Sequence, residues 1–252
     1  MASNPALRAA RAAFVFLTRI PVGGHPYTSA EWAWAPAHFP LIGLVLGGVL
    51  AAVDQALRPL GPLVDAVLVI AASLMLTGAL HEDGLADTAD ALGGAADRDK
   101  LFAILKDSRV GTFGACALLV SVVGRVALLA RLGPAAPWAL VLVGCAARVG
   151  PVWLMARLPY VSGAAAKSRH VARAGVAQAA VATAWLLLAS GCAAASGVVS
   201  AARLAALGAA LAVVVAASGW RYVRRAGGIT GDFLGATEQL CELAGYSVLA
   251  WA

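Results

Sequence analysis

The chain has 252 residues, of which 61% are hydrophobic and only 13% charged, with a formal net charge of +6 and a mean hydropathy of +0.83. A soluble domain carries about 25% charged residues, and a chain of this size cannot bury every side of every helix. The composition therefore excludes an ordinary water-soluble enzyme. It points to an all-α fold, a polytopic helical membrane protein forming one domain over residues 1–252.

Arg8 and Arg11 precede Phe14-Val15-Phe16-Leu17 near the start. That apolar run is too short for a signal peptide and has no small-residue cleavage site after it. An amphipathic helix lying in the membrane interface over about residues 5–20 fits instead. Thr18-Arg19-Ile20-Pro21-Val22 ends it, and Phe39-Pro40-Leu41-Ile42-Gly43 opens the next helix, both set by proline. Runs of about 20 apolar residues, enough to cross a bilayer, fall at 37–57, 63–80, 111–130, 136–156, 175–196, 201–220 and 236–252. The last is the weakest, because Glu238 and Glu242 lie in its first half. Six to seven transmembrane helices are expected, plus the interfacial one.

Basic residues set the orientation. With the N-terminus inside, segments 1–36, 81–110, 157–174 and 221–235 hold fourteen of the nineteen Lys and Arg, among them Lys167, Arg169 and Arg173. The outer loops hold Arg58, Arg131 and Arg203, and Arg125 and Arg148 fall within spans. The N-terminus and the polar loops are thus expected on the cytoplasmic face. The positive charge matches anionic lipid headgroups and gives no support to nucleic-acid binding. The four scattered cysteines show no metal or redox spacing and read as small apolar fillers.

The densest chemistry sits in Leu80-His81-Glu82-Asp83-Gly84-Leu85-Ala86-Asp87-Thr88-Ala89-Asp90, directly after an apolar run. On a helix, Asp83, Asp87 and Asp90 fall on one stripe. Three carboxylates on a stripe repel unless a cation neutralises them. Hard oxygen donors without cysteine suit Mg²⁺ or Mn²⁺, and Mg²⁺ normally also engages substrate phosphates. Glu82 lies about 100° around the helix, as a further ligand or a base. A merely solvated acidic loop would need neither helical register nor the flanking Gly93 and Gly94.

Three further clusters follow. Lys106-Asp107-Ser108-Arg109 reads either as a helix cap with an interface anchor or as a phosphate clamp using Lys106 and Arg109. Arg148, in the inner half of a span, needs an anion, either the acidic stripe or a substrate phosphate. Arg125, nearer the outer half, is read as snorkelling and given no role. Gly227-Gly228-Ile229-Thr230-Gly231-Asp232 offers backbone N–H groups to an anion and Asp232 as a metal ligand.

Taken together, Thr18–Val22, Phe39–Gly43, His81–Asp90, Lys106–Thr112 and Gly228–Ala236 resemble the cobalamin synthase family, the adenosylcobinamide-GDP ribazoletransferases. The matching motifs run from residue 18 to about 242. The resemblance implies a Mg²⁺-dependent enzyme of the bacterial cytoplasmic (inner) membrane. It would join adenosylcobinamide-GDP to α-ribazole or α-ribazole 5′-phosphate, giving adenosylcobalamin or its 5′-phosphate and GMP. Such a transfer needs metal at the pyrophosphate, cations on the phosphoryl group and a carboxylate for the hydroxyl proton. The expected metal ligands are Asp83, Asp87, Asp90 and Asp232, with Glu82 beside them. Lys106, Arg109 and Arg148 would take phosphate oxygens. Substrates and the lipid bilayer are the expected partners, and a homo-oligomer is left open.

Two other readings share some of these features. A CDP-alcohol phosphotransferase would use a similar acidic stripe, but its motif has Arg soon after the Ala where this chain has Asp87. A cation-coupled transporter would need polar stations across the membrane, whereas these acids gather at one face.

Overall fold

The computed structural model describes residues 5–161 and 174–251, and most of these are helical. In chain order come α1 (Pro5–Leu17), α2 (Ser29–Trp34), α3 (Phe39–Leu57), α4 (Pro62–Thr77), α5 (Leu80–Gly94) and α6 (Arg98–Ile104). Then follow α7 (Thr112–Leu132), α8 (Ala136–Ala147), α9 (Val149–Arg157), α10 (Val176–Ala195), α11 (Ala201–Ala226) and α12 (Gly231–Ala250). Lys167, Arg169 and Arg173, part of the expected inside charge, lie outside the described residues.

The apolar runs at 37–57, 63–80, 111–130 and 175–196 correspond to α3, α4, α7 and α10, with ends shifted by about three residues or fewer. The run at 136–156 is broken at Arg148 into α8 and α9. The last run starts earlier than expected, at Gly231, because the Thr230 hydroxyl accepts the Phe233 N–H at 3.2 Å and caps α12 there.

Length and apolar composition qualify four stretches to cross a membrane: Ser29–Leu60, Thr112–Arg157, Val176–Ala195 and Ala201–Ala226. The pair α4 and α5, bent by 91°, makes a fifth if counted as one broken span. This is a helical membrane protein, although six to seven spans exceeds what these criteria support. Thr112–Arg157, at 46 residues, is about twice the length of one crossing. α12 carries Asp232, Glu238 and Glu242 and is not among the qualifying stretches. The outward faces are apolar, with Leu119, Val120, Leu187, Leu188 and Val213 all exposed, as a lipid-facing surface requires.

Two packing devices position the site. α3 lies directly on α8 through Gly43 and Gly47: a Cβ on Gly43 would come within 2.0 Å of the Gly144 carbonyl oxygen, and one on Gly47 within 2.5 Å of the Leu140 oxygen. Small residues four apart let membrane helices touch backbone to backbone. The second device is the elbow between α4 and α5. Gly78 (φ +66°) and Ala79 (φ +55°) both adopt left-handed backbone and turn the chain across the end of α4. α1 packs against α2 and α3, burying Ala9, Ala12, Ala13 and Leu17. α12 is buried along most of its length against α5, α7, α8 and α11.

Candidate active site

α5 forms over 80–94, as the spacing of its acids predicts. Its stripe grades from exposed Asp83 through partly buried Asp87 to buried Asp90. Asp232, at the first turn of α12, joins it from across the interface. Gly84 makes the approach close, since a Cβ there would lie 2.8 Å from the Asp232 carbonyl oxygen, and Gly235 faces His81 in the same contact.

Electrostatically the group is unrelieved. Burial and then repulsion by Asp83, Asp232 and Asp90 push the Asp87 carboxyl up to about 6. Burial is also the main cause that raises the Asp232 carboxyl, with Asp83 adding to it. Among the described residues, none of Asp83, Asp87 and Asp232 has Lys or Arg within ion-pair distance. These are hard oxygen donors short of positive charge, which is the chemistry Mg²⁺ takes. Among the described residues, no three His, Cys, Asp or Glu side chains converge into a ready-made metal cage. Mg²⁺ does not need one, because it keeps several waters and binds through one or two carboxylates plus substrate phosphates.

Asp90 departs from the expected stripe. Its carboxylate accepts the Gly111 N–H at 2.7 Å and the Gly114 N–H at 2.9 Å, tying α5 to the start of α7. Added Cβ atoms at Gly111 and Gly114 would fall 2.5 and 2.4 Å from its oxygens. Asp90 thus satisfies N–H groups that a helix start leaves without partners, and it anchors the site as well as contributing charge.

Glu82 and Arg148 also stand apart from the stripe. Arg125, almost fully buried, donates from Nη2 to Glu82 Oε1 and from Nη1 to Glu242 Oε2, each at 2.9 Å. Arg148 Nη1 donates to the Gly144 carbonyl at 2.6 Å and lies 3.7 Å from Glu242 Oε1. Its Nη2 is 3.0 Å from Glu238 Oε1, too poorly aligned for a hydrogen bond. His81 Nδ1 lies 3.3 Å from Glu238 Oε2, and Gln239, bonded to Ser121 Oγ at 2.9 Å, donates to the same oxygen. Glu82 therefore faces Arg125, and Arg148 meets carboxylates of α12 instead of the stripe or an open phosphate site. The anion that a buried arginine demands was foreseeable, but the partners named for Arg148 were not these. Arg125, read as snorkelling, is the centre of the network. The signal for it was stoichiometric: two arginines and two glutamates within apolar runs, with Glu82 at the edge of a third, must be paired.

Lys106 and Arg109 sit on the exposed α6–α7 connection. Arg109 forks onto Asp107, with Nε–Oδ1 at 2.9 Å and Nη2–Oδ2 at 2.6 Å, and holds that carboxyl down at about 2. The connection abuts the stripe through Gly111 and Asp90, but neither cation contacts an acid of the stripe in this arrangement.

Comparison with known proteins shows the family. Residues 9–250 match the family described as cobalamin-5-phosphate synthase. A protein from Leptothrix cholodnii called adenosylcobinamide-GDP ribazoletransferase is 44% identical over 95% of this chain and 92% of its own length. Proteins with the same name from Polaromonas sp. strain JS666 and Sinorhizobium medicae are 39% and 38% identical, covering 93% and 94% of both chains respectively. No solved structure matches the chain. The chain belongs to the cobalamin-5-phosphate synthase family.

Proposed function

We propose that this chain joins adenosylcobinamide-GDP to α-ribazole or its 5′-phosphate at the end of α5, with Asp83, Asp87 and Asp232 as the ligands of Mg²⁺. Family membership and the shared name of the relatives support the transfer. The single observation that supports the site is the close contact of α12 with α5 at Gly84, where a Cβ would lie 2.8 Å from the Asp232 carbonyl oxygen; it brings Asp232 to the helix of Asp83 and Asp87, and none of the three has a basic partner among the described residues.

Asp83, Asp87 and Asp232 would hold Mg²⁺, whose positive charge would offset the negative charge that builds in the transition state. The chain's own residues do the rest. A ribose hydroxyl oxygen bonds to the cobinamide-side phosphorus, the bond from that phosphorus to the GMP oxygen breaks, and GMP leaves. The hydroxyl proton passes to a carboxylate of the stripe, with exposed Asp83 the best placed to receive it. Lys106 and Arg109 are kept for phosphate oxygens, on an exposed connection beside the stripe; Arg109 must then exchange Asp107 for phosphate. Glu82 and Arg148 are assigned to the buried contact that sets α12 against α5. The active face is cytoplasmic in this reading, supported by the Lys and Arg bias of the sequence.

The test is to incubate membranes containing the protein with adenosylcobinamide-GDP, α-ribazole and Mg²⁺ and to look for GMP and a cobalamin in equal amounts. Absence of both products from properly inserted protein would overturn the proposal.

A further inference from the structure

Beside Asp83 a groove of about 750 Å³ opens between α1, the α4–α5 elbow and α7. Its lining is mixed: Phe16, Leu74, Leu118 and Val122 supply apolar wall, and Asp83 and Arg19 supply charge. Arg19 is held in place: its backbone N–H donates to the Leu76 carbonyl at 2.8 Å. Its side chain crosses Gly78, where a Cβ would fall 2.1 Å from Nε. The guanidinium is exposed and has no ion-pair partner among the described residues.

The groove therefore offers an apolar slot, a carboxylate beside it and a free fork-shaped cation. A methylated benzimidazole, the base of ribazole, has almost no polar edge to satisfy, and its ribose would then reach Asp83.

We propose that this groove is the acceptor subsite: the benzimidazole packs on Phe16, Leu74, Leu118 and Val122, the ribose hydroxyl faces Asp83, and a 5′-phosphate sits on Arg19. Arg19 is then the residue that favours ribazole 5′-phosphate over ribazole. The inference rests on the transfer reading above and adds to it where the second substrate binds and what selects its phosphorylated form.

The experiment compares both acceptors in the product assay, at saturating adenosylcobinamide-GDP, for wild type, Arg19→Ala, Arg19→Lys and Leu118→Trp. Arg19→Ala lowers the ratio of kcat/KM for ribazole 5′-phosphate to that for ribazole about tenfold, as loss of one charge-assisted contact to phosphate requires. Arg19→Lys restores part of the ratio. Leu118→Trp crowds the apolar wall and raises KM for both acceptors more than KM for adenosylcobinamide-GDP. An unchanged ratio in Arg19→Ala overturns the subsite, as does a KM increase in Leu118→Trp confined to adenosylcobinamide-GDP. So does a response of Arg19→Ala only to the anionic-lipid content of the vesicles, which would make the groove a lipid site. If wild type itself makes no product, the transfer reading fails, which separates the two.

Discussion

Asp87→Asn isolates the repulsion in the acidic stripe. In the folded protein the Asp87 carboxyl is raised from 3.8 to about 6, so it holds a proton that the unfolded chain releases. The penalty is absent below pH 3.8, grows as the pH rises through the interval, and is complete above about pH 6. Two pH units correspond to about 3 kcal/mol at 1.36 kcal/mol per unit. Asp87 is partly exposed, and solvent screening reduces this to about 1 kcal/mol. Removing the charge should therefore stabilise the metal-free protein at pH 7.5 while abolishing turnover. Thermal unfolding of detergent-purified protein in EDTA, followed by tryptophan fluorescence, reads this directly. Asp87→Asn is expected to melt about 2–4 °C above wild type at pH 7.5 and level with it near pH 4. Adding Mg²⁺ should raise wild type more than the variant. A variant that melts lower than wild type in EDTA at pH 7.5, or that gains as much from Mg²⁺, refutes the idea that these acids repel until a cation joins them.

Other consequences follow from the contacts. Arg125→Gln leaves Glu82 without its basic partner and Glu242 with Arg148 alone, at 3.7 Å, and is expected to cost about 3–5 kcal/mol, seen as loss of protein from the membrane; adding Glu82→Gln should recover part of it. Asp90→Ala leaves the Gly111 and Gly114 N–H groups unpaired and should cost about 1–2 kcal/mol in thermal or denaturant unfolding, with Asp90→Asn intermediate. Gly43→Ala drives a methyl into the Gly144 carbonyl and should destabilise by about 1–3 kcal/mol, measured by the same unfolding.

Much of this molecule was legible in its residues. Apolar runs mark α3, α4, α7 and α10 because a bilayer imposes length and composition together. The register of Asp83 and Asp87 gave α5 and its stripe because helical period is local. Asp90 shows where that reasoning stops: its partners are backbone N–H groups of α7, and no pattern of side chains announces a backbone partner. Arg148 was expected to seek the stripe or a phosphate and instead meets Glu238 and Glu242. Those glutamates were read as weakening a span, when they are what lets α12 lie buried among charged neighbours. The elbow at Gly78 and Ala79 was missed for a similar reason, since a 91° bend depends on what α4 and α5 pack against.

The central proposal is that Asp232, far along the chain from α5, shares a metal with Asp83 and Asp87, as their residue types in the sequence already suggest. Titrating Mg²⁺ in the GMP-release assay for wild type and Asp232→Asn tests it most directly. The shared site predicts that Asp232→Asn needs at least about tenfold more Mg²⁺ for half-maximal rate, as loss of a coordinating charge implies. The same Mg²⁺ requirement in both proteins would contradict it.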